Sequence, residues 1–273
     1  MIGIIGFGDM GNWQEREDQV MKKLPIALQV YSIREEAEKN FVSTMKEVKN
    51  MGYDGVELAG LYDKTPEEVR DCLNDLGLTP ISAHVSLQEF MEDLPVTVKR
   101  YATIGCKYLA IPYLPDDYRY GTDKFDEVMA NIPTIAKECH KEGITLLYHN
   151  HDFEFAKTKE GNYVLDSMYE QISEKDLKTE LDTCWVKVAG EEPTEYIKKY
   201  EGRCPVIHLK DFISTPSFDY CALGYGIQDI PAILSEALSA GSEWVVAEQD
   251  GHSKHTAMED SELSIIYLKS LGW

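Results

Sequence analysis

The sequence predicts an α/β fold, a single (β/α)8 barrel, on three observations. Strand-type and helix-type segments alternate from Ile26 to Trp273 in eight successive units. Connections of this length between buried strands are what parallel strands need, and eight such units argue for a closed barrel over an open sheet. No Pro/Gly/Ser-rich linker or shift in composition divides the series, and 273 residues at 43% hydrophobic content are enough for one large core. The expected organisation is a short N-terminal extension at residues 1–23 and the barrel at 24–273.

The elements follow in order. Ile26 to Ile33 is apolar and strand-like. Glu35 to Met51 places Phe41, Met45 and Val48 on one helical face, and Gly52 ends it. Gly55 to Leu58 is a short strand. Thr65-Pro66-Glu67-Glu68 is an N-cap with Pro at the first helical position and an acidic first turn, opening a helix that closes near Gly77. Pro80 to Val85 is the third strand, and Ser86 caps a helix to Ile104. Tyr108 to Tyr113 is the fourth strand, and Asp123 to Lys141 a helix closed by Gly143. Ile144 to Asn150 is the fifth strand, with Leu165 to Ile172 as a short helix. Thr179 to Asp182 and Thr194 to Tyr200 make the sixth unit. Val206 to Lys210 and Ile230 to Leu238 make the seventh. Trp244 to Glu248 and Glu259 to Leu271 make the eighth.

The extension carries Gly6, Gly8 and Gly11 at the spacing of a dinucleotide-binding fingerprint. Its context fails. Asn12 to Lys23 is strongly charged and runs into Pro25, and no second strand with a terminal acidic residue follows about 20 residues on. The segment is expected to pack on the barrel or on a neighbouring subunit. Composition narrows the function further. A formal net charge of −21 opposes binding to phosphate backbones, so no nucleic-acid partner is expected. No run of about 18 apolar residues exists, and Met1 to Met10 lacks a basic n-region and a cleavage site, so no membrane partner is expected either. Six cysteines lie scattered without a CxxC pair, as in a reducing, cytoplasmic compartment.

The chemistry centres on Leu146 to Phe155, which turns within a few positions from apolar strand to His149, Asn150, His151, Asp152 and Glu154. The later strands end alike: the sixth in Asp182, the seventh with His208, the eighth in Glu248. Four N/O donors (His149, Asp182, His208, Glu248) from adjacent strands converge at the C-terminal mouth of a barrel, where such folds keep their sites. Imidazoles with two carboxylates suit one divalent ion such as Mn, Zn, Mg or Co. Alternation along the fifth strand puts Leu147, His149 and His151 on one face and Tyr148 and Asn150 on the other. Glu57, His84 and Lys210 belong to the ends of strands two, three and seven. His252 and His255 follow strand eight and read as a solvated loop.

These residues resemble the xylose isomerase-like TIM barrels, which include sugar and sugar-phosphate isomerases and epimerases as well as the endonuclease IV type of repair enzyme. The resemblance covers roughly Leu24 to Trp273. It rests on Gln29-Val30-Tyr31-Ser32, Gly55-Val56-Glu57, Ser82-Ala83-His84, Tyr148-His149-Asn150-His151, Glu180-Leu181-Asp182-Thr183-Cys184, His208-Leu209-Lys210-Asp211, Leu223-Gly224-Tyr225-Gly226 and Glu248. It implies metal-ligand positions at Asp182, His208 and Glu248. It also implies a glutamate at the fifth-strand ligand, where this sequence has His149. The extra histidines of a trinuclear endonuclease centre are missing: one site is Trp185 here, another falls in Ala110-Ile111-Pro112, and only His84 matches.

The resemblance implies a divalent-metal-dependent sugar or sugar-phosphate isomerase or epimerase working through an enediolate. The expected partner is a small-molecule sugar, with room for a homo-oligomer. Glu248 is one expected proton-transfer group. Its opposite number is His149, as ligand or as base, or Glu154, reaching in from the loop to replace His149 as fourth ligand or to hold a substrate hydroxyl. Lys210, His84, Glu57, His151 and Trp185 are the expected substrate contacts, with Tyr31 and Tyr113 as an apolar wall. A lyase or dehydratase acting on a keto-sugar or keto-glycoside shares the first step. A sugar-binding barrel without turnover and a nicotinamide oxidoreductase are the rivals from other classes.

Overall fold

The structure, a computed structural model, describes residues 23–215 and 217–273. The glycine motif Gly6, Gly8 and Gly11 and most of the expected extension lie outside the described residues.

Eight parallel strands close the barrel. They are β1 (Ile26–Gln29), β2 (Gly55–Leu58), β3 (Thr79–His84), β4 (Tyr108–Ile111), β5 (Thr145–His149), β6 (Lys178–Asp182), β7 (Val206–Leu209) and β10 (Trp244–Ala247). Between β7 and β10 lies an antiparallel hairpin of β8 (Asp211–Ile213) and β9 (Asp219–Cys221). Around the barrel run α1 (Arg34–Met51), α2 (Pro66–Leu76), α3 (Leu87–Glu92), α4 (Leu94–Ile104), α5 (Asp123–Lys141), α6 (Val164–Gln171), α7 (Thr183–Val188), α8 (Pro193–Lys199), α9 (Ile230–Ser239) and α10 (Ala257–Ser270). Among the described residues, no helix is long and apolar enough to cross a membrane.

Two apolar layers hold this together. Inside the barrel, Ala27, Ile81, Tyr108, Ala110, Leu147, Val206 and Val246 form one cluster. Their alternate neighbours, such as Leu28, Leu109, Tyr148 and Leu181, face outward into a larger cluster that includes Phe41, Met45 and Val48 of α1. That split is the period-2 alternation of a strand buried on both faces.

Local signals set most ends. Thr65 and Glu68 form a reciprocal capping box at the start of α2, and left-handed Gly77 closes it. Three expectations change. The first strand stops at Gln29, and Val30–Ile33 is a 3-10 turn whose N-cap is the Gln29 side chain. The single helix expected from Ser86 to Ile104 is two, because Asp93 leaves helical geometry and caps α4 with Pro95 in its first turn. Residues 211–229 are not plain loop. Asp211 accepts backbone N–H bonds from Phe212 (2.9 Å), Gly224 (3.0 Å), Gly226 (3.0 Å) and Gln228 (3.1 Å), tying the hairpin and the following loop to one carboxylate.

Candidate active site

Strand register brings the chemistry together. His149 of β5 pairs in register with Glu180 of β6, Asp182 with His208 of β7, and His208 with Val246 of β10, two residues before Glu248. Leu147 belongs to the inner apolar cluster, so His149, two residues on, points into the barrel at its mouth. Asn150 stitches the adjacent strand ends: its side chain accepts from Asp182 N (2.9 Å) and donates to Asp182 O (3.2 Å).

The result is a tight cluster. His149, Asp182, His208 and Glu248 each offer a donor atom, all within 4.8 Å of one another, and all four residues are buried. His208 Nδ1 lies 2.7 Å from Glu248 Oε2, and His149 Nε2 lies 3.5 Å from Asp182 Oδ2. Asp182 divides its labour. Oδ1 accepts from Cys184 N (2.8 Å) and Trp185 N (3.1 Å) as the N-cap of α7, which leaves Oδ2 for the cluster. Lys210 Nζ sits among Asp182 Oδ2 (3.1 Å), Glu248 Oε2 (3.0 Å) and Asp250 Oδ2 (3.0 Å).

Beneath the cluster lies a polar floor. Glu180 Oε1 meets three imidazoles: His84 Nε2 at 2.6 Å, His149 Nδ1 at 3.0 Å and His208 Nε2 at 3.1 Å. Glu57 Oε1 meets His208 Nε2 at 2.8 Å and His84 Nε2 at 3.0 Å, and the Glu57 carboxylate also accepts from Gln29 and Ser82. Carboxylates that accept from one ring nitrogen fix the tautomer and free the other nitrogen. Here Glu180 takes Nδ1–H of His149, while His208 Nε2 lies within ion-pair distance of Glu57 and Glu180 without a directed hydrogen bond. That leaves His149 Nε2 facing Asp182, while His208 Nδ1 is hydrogen-bonded to Glu248.

The charges follow. Burial works against protonating His84, but Glu57 and Glu180 outweigh it and push its pKa up to about 10. His208 is likewise raised, with burial overcome by Glu180 and Glu57. Burial opposes the Lys210 ammonium, yet Asp182, Glu248 and Asp250 hold it charged. Burial would raise Glu57 and Glu248, but His84 and His208 beside the first, and Lys210 and His208 beside the second, keep both well below the usual carboxylate range. His149 is depressed by burial and by the cations around it, and His151 falls to about 3 through burial and then Lys210. Both are neutral imidazoles at neutral pH.

The donor set fits a divalent ion. Asp182 Oδ2 is buried without a directed hydrogen bond, its contact with Lys210 being one of charge alone. A proton between His208 and Glu248 and the ammonium of Lys210 now balance the carboxylates. Two imidazole nitrogens and two carboxylate oxygens are also ligand types that Zn and Mn accept.

A cavity of about 560 Å3 opens over this floor, lined in part by Tyr31, His84, Tyr113, His149, His151, Lys210 and Glu248. Of the expected substrate contacts, His84, His151 and Lys210 reach this wall. Trp185 stands behind it, with His151 tilted on its ring at 5.3 Å. Glu57 does not line the cavity: it is fully buried under His84 and His208. Glu154 is the clear correction. Its carboxylate accepts from the Tyr148 hydroxyl (2.5 Å) and from His151 N (2.8 Å). Tyr148 faces the helix layer, so Glu154 is buried behind the fifth strand and borders a separate cavity with Arg119 and Phe125. It neither joins the cluster nor reaches the mouth. His252 and His255 are not a free loop: they bracket Asp260 at 2.8 and 2.9 Å. Glu180 is a site residue that no motif singles out, although its place two positions before Asp182 puts it on the same strand face.

A family model described as xylose isomerase-like TIM barrel matches residues 45–271. Among curated proteins, an inosose dehydratase of Geobacillus kaustophilus is 22% identical over 189 residues, covering 61% of this chain and 60% of that protein. Among solved structures, a sugar phosphate isomerase/epimerase from Parabacteroides distasonis superposes with a TM-score of 0.79 at 24% identity, over 90% of this chain and 98% of the other. The IOLI protein, described with a binding zinc atom, gives 0.72 at 15% identity, over 91% and 98%. These structural likenesses speak to the fold.

Proposed function

The chain belongs to the xylose isomerase-like TIM barrel family, and from that premise we propose that it is a divalent-metal-dependent sugar isomerase or epimerase working through an enediolate. One observation carries the proposal: four buried N/O donors from four neighbouring strands converge beside a cavity of sugar-binding size. His149, Asp182, His208 and Glu248 would hold one ion, Mn, Zn, Mg or Co. When bound, such an ion supplies Lewis acidity, which draws charge from a sugar carbonyl and eases loss of the neighbouring proton.

The remaining roles belong to the protein. Of the two carboxylates in the set, Glu248 lines the cavity, and it takes the proton from carbon. Lys210, charged and on the same wall, steadies the oxygen on which negative charge develops. His151 is too weakly basic to accept a proton at neutral pH, but its neutral N–H can hold a substrate oxygen. Glu248 then returns the proton to the neighbouring carbon.

A second reading has a specific observation in its favour. The fifth strand supplies His149, a neutral imidazole, where a second carboxylate would serve a two-base epimerisation. One base suffices to remove an α-proton and let a β-substituent leave, so elimination from a keto-sugar or keto-glycoside starts from the same step. The curated relative named a dehydratase points the same way.

The test is a screen of keto- and aldo-sugars with each ion, followed by NMR in deuterium oxide. Deuterium entering carbon with mass otherwise conserved supports isomerisation, and release of water or an aglycone supports elimination. If no sugar exchanges with any of the four ions, the chain is a binding barrel without turnover and the proposal is wrong.

A further inference from the structure

Resting on the sugar reading above, we propose that the cavity holds two rings: it takes an uncharged, non-phosphorylated glycoside whose second ring lies against Tyr31 and Tyr113.

The shape of the mouth comes first. The four donors stand on β5, β6, β7 and at the end of β10, so a sugar engaged by them occupies that half of the mouth. Much of the cavity wall comes from the other half: Tyr31 follows β1, Ala59 follows β2, Ser86 and Glu89 follow β3, and Pro112 and Tyr113 follow β4. A volume of about 560 Å3 lies well inside the range of about 300–1,000 Å3 that takes ligands larger than one hexose.

The two tyrosines are built as platforms. Each is 43% exposed. The guanidinium of Arg34 lies 4.1 Å from the Tyr31 ring centre, and that of Arg119 lies 5.1 Å from the Tyr113 ring centre. Arg119 also donates to the Tyr113 hydroxyl. A ring held by a cation on one face keeps its orientation and leaves the opposite face for a flat, weakly polar partner.

The charges oppose a phosphate. Glu89, Glu248 and Asp250 line the cavity. The lining cations are His84, which faces two carboxylates, and Lys210, which faces three. Arg34 and Arg119 are not in this lining and are already engaged, Arg34 by the Tyr31 and Asp250 carbonyls and Arg119 by Asp116 and the Leu114 carbonyl. Among the described residues, a phosphate dianion would meet carboxylates and cations already paired with carboxylates, whereas a neutral ring meets two aromatic faces.

Titration calorimetry of the full chain with Mn tests this, using glucose, glucose 6-phosphate, cellobiose and p-nitrophenyl β-glucoside. At least one glycoside should bind about tenfold tighter than glucose, the scale of an added aromatic contact. Cellobiose and the aryl glucoside distinguish a sugar from an aromatic second ring. In the Tyr31→Ala/Tyr113→Ala variant the ratio of glycoside to glucose affinity should fall toward one. Tighter binding of glucose 6-phosphate than of glucose overturns the proposal. So does equal affinity for glucose and both glycosides, a ratio that survives the double variant, or no binding of either glycoside. Deuterium exchange is read separately. Its failure would remove the enzyme reading and leave the measured ring preference standing.

Discussion

Glu154→Gln separates a buried bystander from a ligand. Burial pushes the Glu154 carboxyl from the usual 4.5 up to about 7, against the hydrogen bonds from Tyr148 and His151 that favour its charged form. The sign is fixed by linkage. A carboxyl raised on folding binds more protons in the native state, so its contribution is full below about pH 4.5 and is lost as pH rises through about 7. At about 1.4 kcal/mol for each pH unit of that gap, the full loss is about 3.5 kcal/mol, of which about 3 kcal/mol falls between about pH 4.5 and 7.5. Glutamine cannot ionise. It keeps an acceptor for the Tyr148 hydroxyl but faces the His151 N–H with an amide, a pH-independent cost of about 1 kcal/mol. Urea unfolding of parent and variant from about pH 4.5 to 7.5 should therefore show the variant gaining about 3 kcal/mol relative to the parent across the window. A relative stability that stays flat with pH would refute the buried, raised carboxyl. Metal content of the same variant checks the other half, and loss of the ion would return Glu154 to the ligand set.

Two further outcomes follow from the floor and the rim. Glu180→Leu removes the carboxylate that takes Nδ1–H of His149, so affinity for Mn or Co should fall about 10- to 100-fold by dye competition, with shifted Co absorption bands, and Glu180→Gln should lose less; unchanged affinity in the leucine variant would show that Glu180 orients nothing. Gly226→Ala would set a Cβ against Asp211 Oδ1 and 2.5 Å from Asp211 Cγ and the Phe212 carbonyl oxygen, which should lower stability by about 1–3 kcal/mol in denaturant melts; an unaltered midpoint would mean that the loop yields freely.

The barrel was legible because its signals are local and repeated. Period-2 apolar runs, the Thr65 capping box and the glycines after helices each speak within a few residues. Leu147, Tyr148 and His149 show how far this reaches, since alternation alone sends one side chain inward, the next outward and the third to the mouth. Glu180 was legible by the same alternation from Asp182, but a glutamate that deep in a strand reads as an ion-pair partner until its three histidines are seen. Glu154 was not legible. Its partner Tyr148 points to the helix layer, and nothing in the spacing says whether a residue past the strand end turns inward or outward. The break at Asp93 was marked by Pro95, but the apolar spacing on either side reads through it. The hairpin of β8 and β9 depends on Asp211 gathering amides as far as 17 residues away, a contact that no short window contains.

That single carboxylate has a mechanical consequence. Asp211 stands three residues after His208, and the loop carrying Gly224, Gly226 and Gln228 hangs from it by three backbone bonds. The loop therefore has no hinge of its own short of breaking those bonds together. It is fastened to the strand that places an ion-binding imidazole, and the two shift as one body or stay still. Gating by a swinging flap would then belong to another stretch of the rim, and a force applied at Tyr225 would be felt at His208.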